Sequence, residues 1–255
     1  MRKAAFFLPL LTGCLFAFQS SHAQIINIES SRIQSDTLGW AGSAGANFAL
    51  VKNTRQILLV NLQAHLQLKT EKSLWLILGD YGFLQGGDDK YISNSFGHIR
   101  YNRKINKWLR WEAFTQVQSN LITRIESRFL AGTGPRFKVM SFEKFRLYAA
   151  SLIMYEFEKE RTTPASNINK NIRSSSYISF TFVPSDNTEL INTTFFQPRF
   201  GHFSDNRVFS QTSLKVKASK RFSLNIRYNY LHDRVPAKGA PATTYNLSSG
   251  IEIDF

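Results

Sequence analysis

The residues best suited to catalysis in this sequence are a histidine and a serine two positions apart. His202 and Ser204 belong to the segment His202-Phe203-Ser204-Asp205-Asn206. A histidine activates a serine hydroxyl as general base when a carboxylate or an amide orients its ring, and Asp205 and Asn206 are available for that role. The pattern is compatible with a lipid hydrolase. Polar surface loops of this composition are common, however, and we expect this segment to be such a loop.

A second set of candidate residues is charged and alternates along the chain with apolar residues. Its nine members are Arg110, Glu112, Arg128, Arg136, Lys138, Arg146, Lys215, Lys217 and Arg227. Because successive side chains of a strand point to opposite faces, all nine are predicted to face the lumen of a barrel. They would either form a basic lumen that selects anions or pair internally, as Arg110, Glu112 and Glu156 would. We favour internal pairing.

The sequence offers no pattern for a metal site or a cofactor site. Its five histidines show no spacing typical of metal ligands. The one cysteine, Cys14, lies close to the N-terminus. We therefore predict no metal, no cofactor and no disulfide.

Strands must position these residues, because apolar and polar residues alternate almost throughout residues 37–255. In one segment Leu58, Val60, Leu62, Ala64, Leu66 and Leu68 share a face opposite Asn61, Gln63, His65 and Gln67. About twelve such segments predict an all-β fold, a transmembrane antiparallel up-and-down β-barrel. A soluble sandwich is the alternative, but its outward face would be polar, whereas several segments carry five or six apolar residues on one face.

The predicted connections alternate between short and long. Longer links are expected at 85–94, 120–126, 158–171, 200–206 and 233–244. An even number of strands with short turns on one side is typical of bacterial outer-membrane barrels, whose two chain ends lie in the periplasm. In the ninth segment, Phe195 and Phe196 are adjacent, so the pattern does not decide which of them faces inward.

The N-terminus has the features of an export signal. Arg2 and Lys3 precede an apolar run that is too short to span a membrane as a helix, and small residues before Gln24 predict cleavage after Ala23. Leu11-Thr12-Gly13-Cys14 offers the alternative of a lipobox with an acylated Cys14. Residues 1–23 are thus predicted to be a signal peptide, and residues 24–36 a periplasmic lead-in.

Charge and the C-terminal segment indicate the location and the partners. The net charge is +14. The aromatic share of 14% and the mean hydropathy of −0.23 are typical of strands in which only alternate residues face lipid. The last segment alternates up to Phe255, as in a closing strand that the barrel-assembly machinery recognises. We therefore expect a Gram-negative outer-membrane location, with membrane lipid and lipopolysaccharide as partners and no nucleic acid.

Several strand-and-turn motifs resemble one bacterial family. They are Trp108-Leu109-Arg110-Trp111-Glu112-Ala113-Phe114, Gly132-Thr133-Gly134-Pro135-Arg136-Phe137, Phe145-Arg146-Leu147-Tyr148, Gln197-Pro198 and Phe203-Ser204-Asp205-Asn206-Arg207. They are similar to a family of unknown function whose members carry the label salt-induced outer-membrane protein. The resemblance implies an outer-membrane barrel and no established activity. Asn206 stands where the family pattern suggests an aromatic residue.

Three functions remain open at this stage. The first is an integral outer-membrane barrel that is not an enzyme and serves as a narrow passage or a structural envelope protein. The second is an outer-membrane lipid hydrolase that uses His202 and Ser204. The third is a protein that binds a partner through the predicted links at 158–171 and 233–244.

Overall fold

The chain forms one antiparallel sheet of twelve strands in sequence order. The computed structural model describes residues 38–52, 56–162, 166–219 and 222–253. The predicted signal peptide with Cys14, the lead-in at 24–36 and the terminal Phe255 lie outside these residues. No helix in the described part of the chain is long and apolar enough to cross a membrane.

Each strand pairs with its neighbours in sequence, so the predicted up-and-down topology and the number of strands are confirmed. The strands are β1 (Gly39–Lys52), β2 (Gln56–Lys69), β3 (Ser73–Gly86), β4 (Asp89–Lys104), β5 (Leu109–Asn120), β6 (Ile125–Ser141), β7 (Phe145–Glu160), β8 (Asn167–Ser185), β9 (Thr188–Arg199), β10 (His202–Lys217), β11 (Phe222–Asp233) and β12 (Thr243–Ile253). Among the described residues, β1 pairs with β2, β12 pairs with β11, and no pairing joins β1 to β12.

The two faces of the sheet differ sharply in burial, as β7 shows. Leu152 and Met154 are 2% and 1% exposed, whereas Ile153 between them is 62% exposed. We call the face with the buried side chains the inner face and the opposite one the outer face. Residues opposite each other in neighbouring strands share a face, so the register assigns the face of every paired residue.

The connections at one end of the strands differ in length from those at the other end. One end of the strands, which we call the loop rim, carries the links 87–88, 121–124, 161–166, 200–201 and 234–242. The links 70–72, 105–108, 142–144 and 186–187 lie at the other, the turn rim, together with the start of β1 and the end of β12. The direction of a strand and the position of a residue along it therefore give the distance of that residue from either rim.

Four of the predicted long links were wrong in length, because the strands continue into them. The predicted links at 85–94, 120–126, 158–171 and 200–206 contract to the connections at 87–88, 121–124, 161–166 and 200–201. Gly87 has a φ of 62°, which suits the tight turn there. Some polar residues of these segments, such as Asn94, Glu158 and Asp205, lie buried on the inner face. At these positions polarity marks the inner face of a strand and does not mark a loop.

The sheet curls strongly between β5 and β11, since strands far apart in it come into contact. The Tyr177 hydroxyl of β8 donates a hydrogen bond of 2.7 Å to Glu112 of β5. Arg124, in the β5–β6 turn, donates to the Lys238 carbonyl oxygen of the β11–β12 link at 3.3 Å. One apolar core fills the inside of this curl. It consists of Phe114, Leu130, Ala150, Leu152, Met154, Tyr177, Phe195, Phe209 and Leu231.

The outer face is apolar and aromatic over most of the sheet, apart from two groups of hydrogen-bonded polar side chains, the first of which is Ser151, Ser174 and Ser176 on β7 and β8. Large exposed residues on it include Trp75, Ile77, Trp111, Phe129, Ile153, Tyr155, Phe196, Tyr228 and Leu247. On β9 and β10, four polar side chains form the hydroxyl cluster: Asn192, Thr194, Ser210 and Thr212. They bond to each other, as the 2.8 Å contact between the Thr194 and Ser210 hydroxyls shows.

Candidate functional site on the inner face

All nine charged residues predicted to face inward lie on the inner face by their register. Arg128 lies toward the loop rim. Arg227 lies midway along β11, and the other seven lie toward the turn rim. The apolar core separates the charges near one rim from those near the other, so the nine residues do not form a single site.

Glu156 is the centre of a buried ion network near the loop rim. Its carboxylate is fully buried and accepts a hydrogen bond of 2.7 Å from Nε of Arg173. It also forms an ion pair with Arg207, and Nε of Arg128 lies 3.4 Å from it. Three guanidinium groups therefore converge on one carboxylate.

Further carboxylates compensate these guanidinium groups. The complete loop-rim network comprises Arg128, Arg173, Arg199, Arg207, Glu156, Glu158, Asp205 and Asp233. Arg207 donates to Asp233 at 2.6 Å, and Arg173 donates to Asp205 at 2.8 Å. Four positive and four negative groups make the network neutral. Buried ions are tolerated when they are paired and hydrogen-bonded in this way, so we interpret the network as a packed interior.

Glu112 is the centre of a second cluster, on the other side of the apolar core. It is fully buried and accepts hydrogen bonds from Arg100 at 3.2 Å and from the Tyr177 hydroxyl at 2.7 Å. Nε of Arg136 lies 3.7 Å from it, and the Arg136 guanidinium lies 3.9 Å from the centre of the Tyr148 ring. One carboxylate thus faces two guanidinium groups and one phenol hydroxyl.

These contacts correct the predicted partners of Glu112 and Glu156. The sequence suggested a set of Arg110, Glu112 and Glu156 that satisfy each other. The two carboxylates instead belong to different clusters, each with its own arginines. The prediction of internal Arg–Glu pairing is met near Glu156, with partners that alternation alone does not identify.

The long β11–β12 link covers the loop-rim network. Val235 N–H donates to the Asp233 carboxylate at 3.1 Å, and Arg234 N–H donates to the Asn206 carbonyl oxygen at 3.0 Å. Ala237 of this link is buried. A cavity of about 20 Å³ between the link and the network leaves room for about one water. The interior is therefore closed at this side of the loop rim.

The inner face of β1, β2 and β12 has a different composition. It carries small or uncharged polar side chains, apart from the apolar Val51, Ile57 and Leu59 toward the loop rim and the residues at the ends of the strands. They are Ala41, Ser43, Gly45, Asn47 and Ala49 on β1, Asn61, Gln63, His65 and Gln67 on β2, and Thr244, Asn246, Ser248 and Gly250 on β12. Most of these residues are partly or fully exposed. Their side chains fill little volume, in contrast to the core between β5 and β11.

His202 and Ser204 lie at the loop rim, at the start of β10, and both are exposed. In the described structure no hydrogen bond joins their side chains. The Asn206 amide donates instead to the Phe203 carbonyl oxygen at 2.9 Å, and Asp205 is engaged with Arg173 and Arg199. The described residues contain no group of three or more His, Cys, Asp or Glu side chains that could hold a metal ion.

Sequence reasoning missed much of the loop-rim network. Arg173, Arg207 and Asp233 were not among the candidates, and Asp205 was considered only as a residue that could orient His202. Both aspartates had been placed in predicted links. A signal was present, because Arg207 alternates with the outward-facing Val208. The pairing itself connects β7 with β10 and depends on the curl of the sheet, which a period of two does not encode.

Comparison with known proteins gives a family and two distant structures. A family model described as "Protein of unknown function, DUF481" matches residues 43–255. No curated protein matches the chain. Among solved structures, a NanC porin in a rhombohedral crystal form is 7% identical, with a TM-score of 0.48 over 77% of this chain and 94% of that one. The translocator domain of the autotransporter NalP from Neisseria meningitidis is 10% identical, with a TM-score of 0.42 over 87% of this chain and 90% of that one.

Proposed function

This chain belongs to the family described as protein of unknown function, DUF481, and we propose that it is an integral outer-membrane β-barrel with a narrow polar passage along β1, β2 and β12. The match confirms the family of unknown function that the strand-and-turn motifs resemble. The label salt-induced stays a prediction.

The outer face supports a membrane location. Large apolar and aromatic side chains stand exposed on most of it, including Trp75 and Ile153. The strands are 11 to 19 residues long, and a tilted strand needs about 9–11 residues to cross the hydrocarbon layer. Exposure of this face to water would be unfavourable in free energy, whereas contact with lipid would not be.

Pairing of β1 with β12 would close the sheet. The two strands run in opposite directions, as antiparallel pairing requires, because twelve is an even number of strands. Both already place apolar residues outside, such as Phe48 and Tyr245, and small or polar ones inside. Closure would also remove the unpaired edges that hydrocarbon does not tolerate.

The asymmetry of the inner face is the observation that supports the proposed passage. Between β5 and β11, the inner side chains form a packed core and a neutral ion network, so this half is filled. On β1, β2 and β12 they are small or polar, as at Ser43, Gly45 and Gln63. Barrels of about eight strands are filled by side chains and barrels of 16–18 hold a channel. A twelve-stranded barrel with one filled half therefore suits a narrow, off-centre passage for small hydrophilic solutes.

The proposal includes an export route and partners. The predicted signal peptide at residues 1–23 would direct the chain across the inner membrane, and the closing strand would present Phe255 to the assembly machinery. Lipopolysaccharide would contact the outer face, and the basic surplus of the chain suits its phosphates. No catalytic step is part of the proposal.

Conductance in planar bilayers tests the passage. The refolded protein should conduct ions, and Gly45→Phe should lower its single-channel conductance several-fold, since a Cβ at Gly45 meets no atom within 4 Å and the ring would project into the passage. Ala44→Phe, one residue away on the outer face, is the matched control and should leave conductance unchanged. Folded protein without conductance would overturn the passage and leave a structural envelope role. A folded monomer in detergent-free buffer would overturn the membrane location.

A further inference from the structure

Two charged side chains on the inner face stand apart from both ion clusters. Asp80 lies midway along β3, and Arg227 lies midway along β11. The register places both on the inner face, since Asp80 pairs with Gln63 of β2 and Arg227 pairs with Ser248 of β12. Away from the strand ends, they are the two Asp, Glu, Lys or Arg side chains on this face among the described side chains of β1, β2, β3, β11 and β12.

Neither ion has a partner in the part of the chain that the structure describes. No hydrogen bond or ion pair there involves Asp80 or Arg227. Asp80 is half-buried, and Arg227 is exposed on the inner face. Ionisable side chains at membrane depth that have no protein partner typically face a water-filled cavity and mark the path of a solute. The two residues therefore indicate where water and solutes reach the inner face.

The wall between the two ions carries small or uncharged side chains. Gly45 and Gln63 lie in one row with Asp80, and Ser248 lies beside Arg227. Once β1 pairs with β12, four inter-strand steps separate β11 from β3, which is about 19 Å along the wall. An arginine and an aspartate side chain do not bridge such a span. The gap between the two charged groups therefore has room for a small solute.

We propose that Asp80 and Arg227 form a filter that favours small zwitterions in the passage. Opposite charges on two walls sum to zero but create an electric field across the passage. A solute with an ammonium and a carboxylate group aligns with this field, because its ammonium is attracted to Asp80 and its carboxylate to Arg227. A singly charged ion is attracted by one wall and repelled by the other. The filter rests on the proposed function, since it needs the closed barrel and its passage.

Reversal potentials in a potassium chloride gradient across planar bilayers test the two charges separately. Asp80→Asn keeps the size of the side chain and leaves one positive charge in the filter, so the selectivity should shift several-fold toward chloride. Arg227→Gln leaves one negative charge and should shift the selectivity several-fold toward potassium. The double variant should return to the selectivity of the unchanged protein. Single variants that both shift in the same direction, or that do not shift, would overturn the filter.

Matched controls carry the same substitutions away from the passage. Asp186→Asn lies in the exposed turn between β8 and β9, and Arg103→Gln lies on the outer face of β4 near the turn rim. Both should keep the reversal potential of the unchanged protein. If Asp186→Asn shifts it as far as Asp80→Asn does, the effect is a diffuse one of net charge, and the filter is overturned.

Swelling of proteoliposomes tests the class of solute. Glycine and glycolamide are isomers of nearly equal size, but glycine is a zwitterion and glycolamide is uncharged. The rate of glycine entry relative to glycolamide entry should fall several-fold in the double variant Asp80→Asn/Arg227→Gln, whose net charge equals that of the unchanged protein. Glycolamide entry itself should stay the same. An equal ratio in the two proteins would overturn the preference for zwitterions.

Conductance and stability of the same samples separate the filter from the passage. Protein that conducts, but whose selectivity and solute preference do not respond to the variants, overturns the filter alone. Folded protein that does not conduct overturns the passage and the filter with it. Asp80→Asn and Arg227→Gln should keep the unfolding temperature of the unchanged protein, because neither side chain has a partner to lose. A marked fall for either variant would show a structural role and overturn the filter.

Discussion

Replacement of Glu156 by glutamine should destabilise the protein more than any other single amide substitution in the loop-rim network. The carboxylate is fully buried and faces Arg128, Arg173 and Arg207. In Glu156→Gln the side chain keeps its size, but the network changes from neutral to one net positive charge. Three buried guanidinium groups then lose their common counter-charge, which is the costly way to break a buried ion pair.

The size of the effect follows from the contacts that are lost. Two charge-assisted hydrogen bonds, from Arg173 and Arg207, contribute about 1.5–3 kcal/mol each. The glutamine retains one acceptor oxygen, so the expected loss is about 3–5 kcal/mol, the range for removal of one partner of a buried pair. For a chain of this size, about 2–4 °C per kcal/mol predicts a fall in the unfolding temperature of roughly 6–20 °C.

The heat-dependent change in electrophoretic mobility of the detergent-folded protein measures this fall. Glu160→Gln is the matched control, since Glu160 lies on the inner face of the same strand but is bonded by the neutral amides of Asn167 and Asn169. We expect a loss of only about 1 kcal/mol there. The double variant Glu156→Gln/Arg128→Gln restores neutrality and should lose less than the sum of its two single variants. Equal shifts for Glu156→Gln and Glu160→Gln would refute the reasoning.

Two more substitutions, each with a matched control, test the packing of the inner face by the same mobility assay. Gly134→Ala should cost about 1–3 kcal/mol, because its Cβ would clash with the Ser151 carbonyl oxygen, whereas a Cβ at Gly45 meets no atom within 4 Å and Gly45→Ala should be neutral. A neutral Gly134→Ala would contradict the close approach of β6 and β7. Phe195→Ala should cost about 3–5 kcal/mol through the cavity it leaves, and Phe196→Ala on the outer face clearly less, since these rings are 3% and 46% exposed. The reverse order of the two losses would mean that the faces of β9 are exchanged.

The sequence predicts the strands well because their signal is local. Whether a side chain lies on the inner or the outer face depends on whether its position in the strand is odd or even. This parity predicted the inner face for residues as distant as Arg128 and Arg227. Parity fails where both neighbours are apolar, as at Phe195 and Phe196, because either ring suits the core. The core on β8 and β10 decides the question, since Phe195 lies 4.9 Å from Tyr177 and 6.3 Å from Phe209, ring centre to ring centre.

The ends of the strands and the ion partners were harder to predict, for one shared reason. Polar residues are typical both of loops and of the inner face of a barrel, so composition alone does not separate the two. Asp205 and Asp233 were assigned to links, yet both pair with buried arginines of other strands. Their partners depend on how far the sheet curls, and that is set by packing across the interior.

The hydroxyl cluster on the outer face affects where neighbouring strands of the sheet separate. At β9 and β10, backbone pairing is reinforced from inside by the contact of Phe195 with Phe209 and from outside by Thr194 and Ser210. At β1 and β2, the outward side chains are hydrocarbon, such as Phe48 and Val60, and the inward ones are small. Lateral separation of strands should therefore start at β1 and leave the β9–β10 hairpin until last.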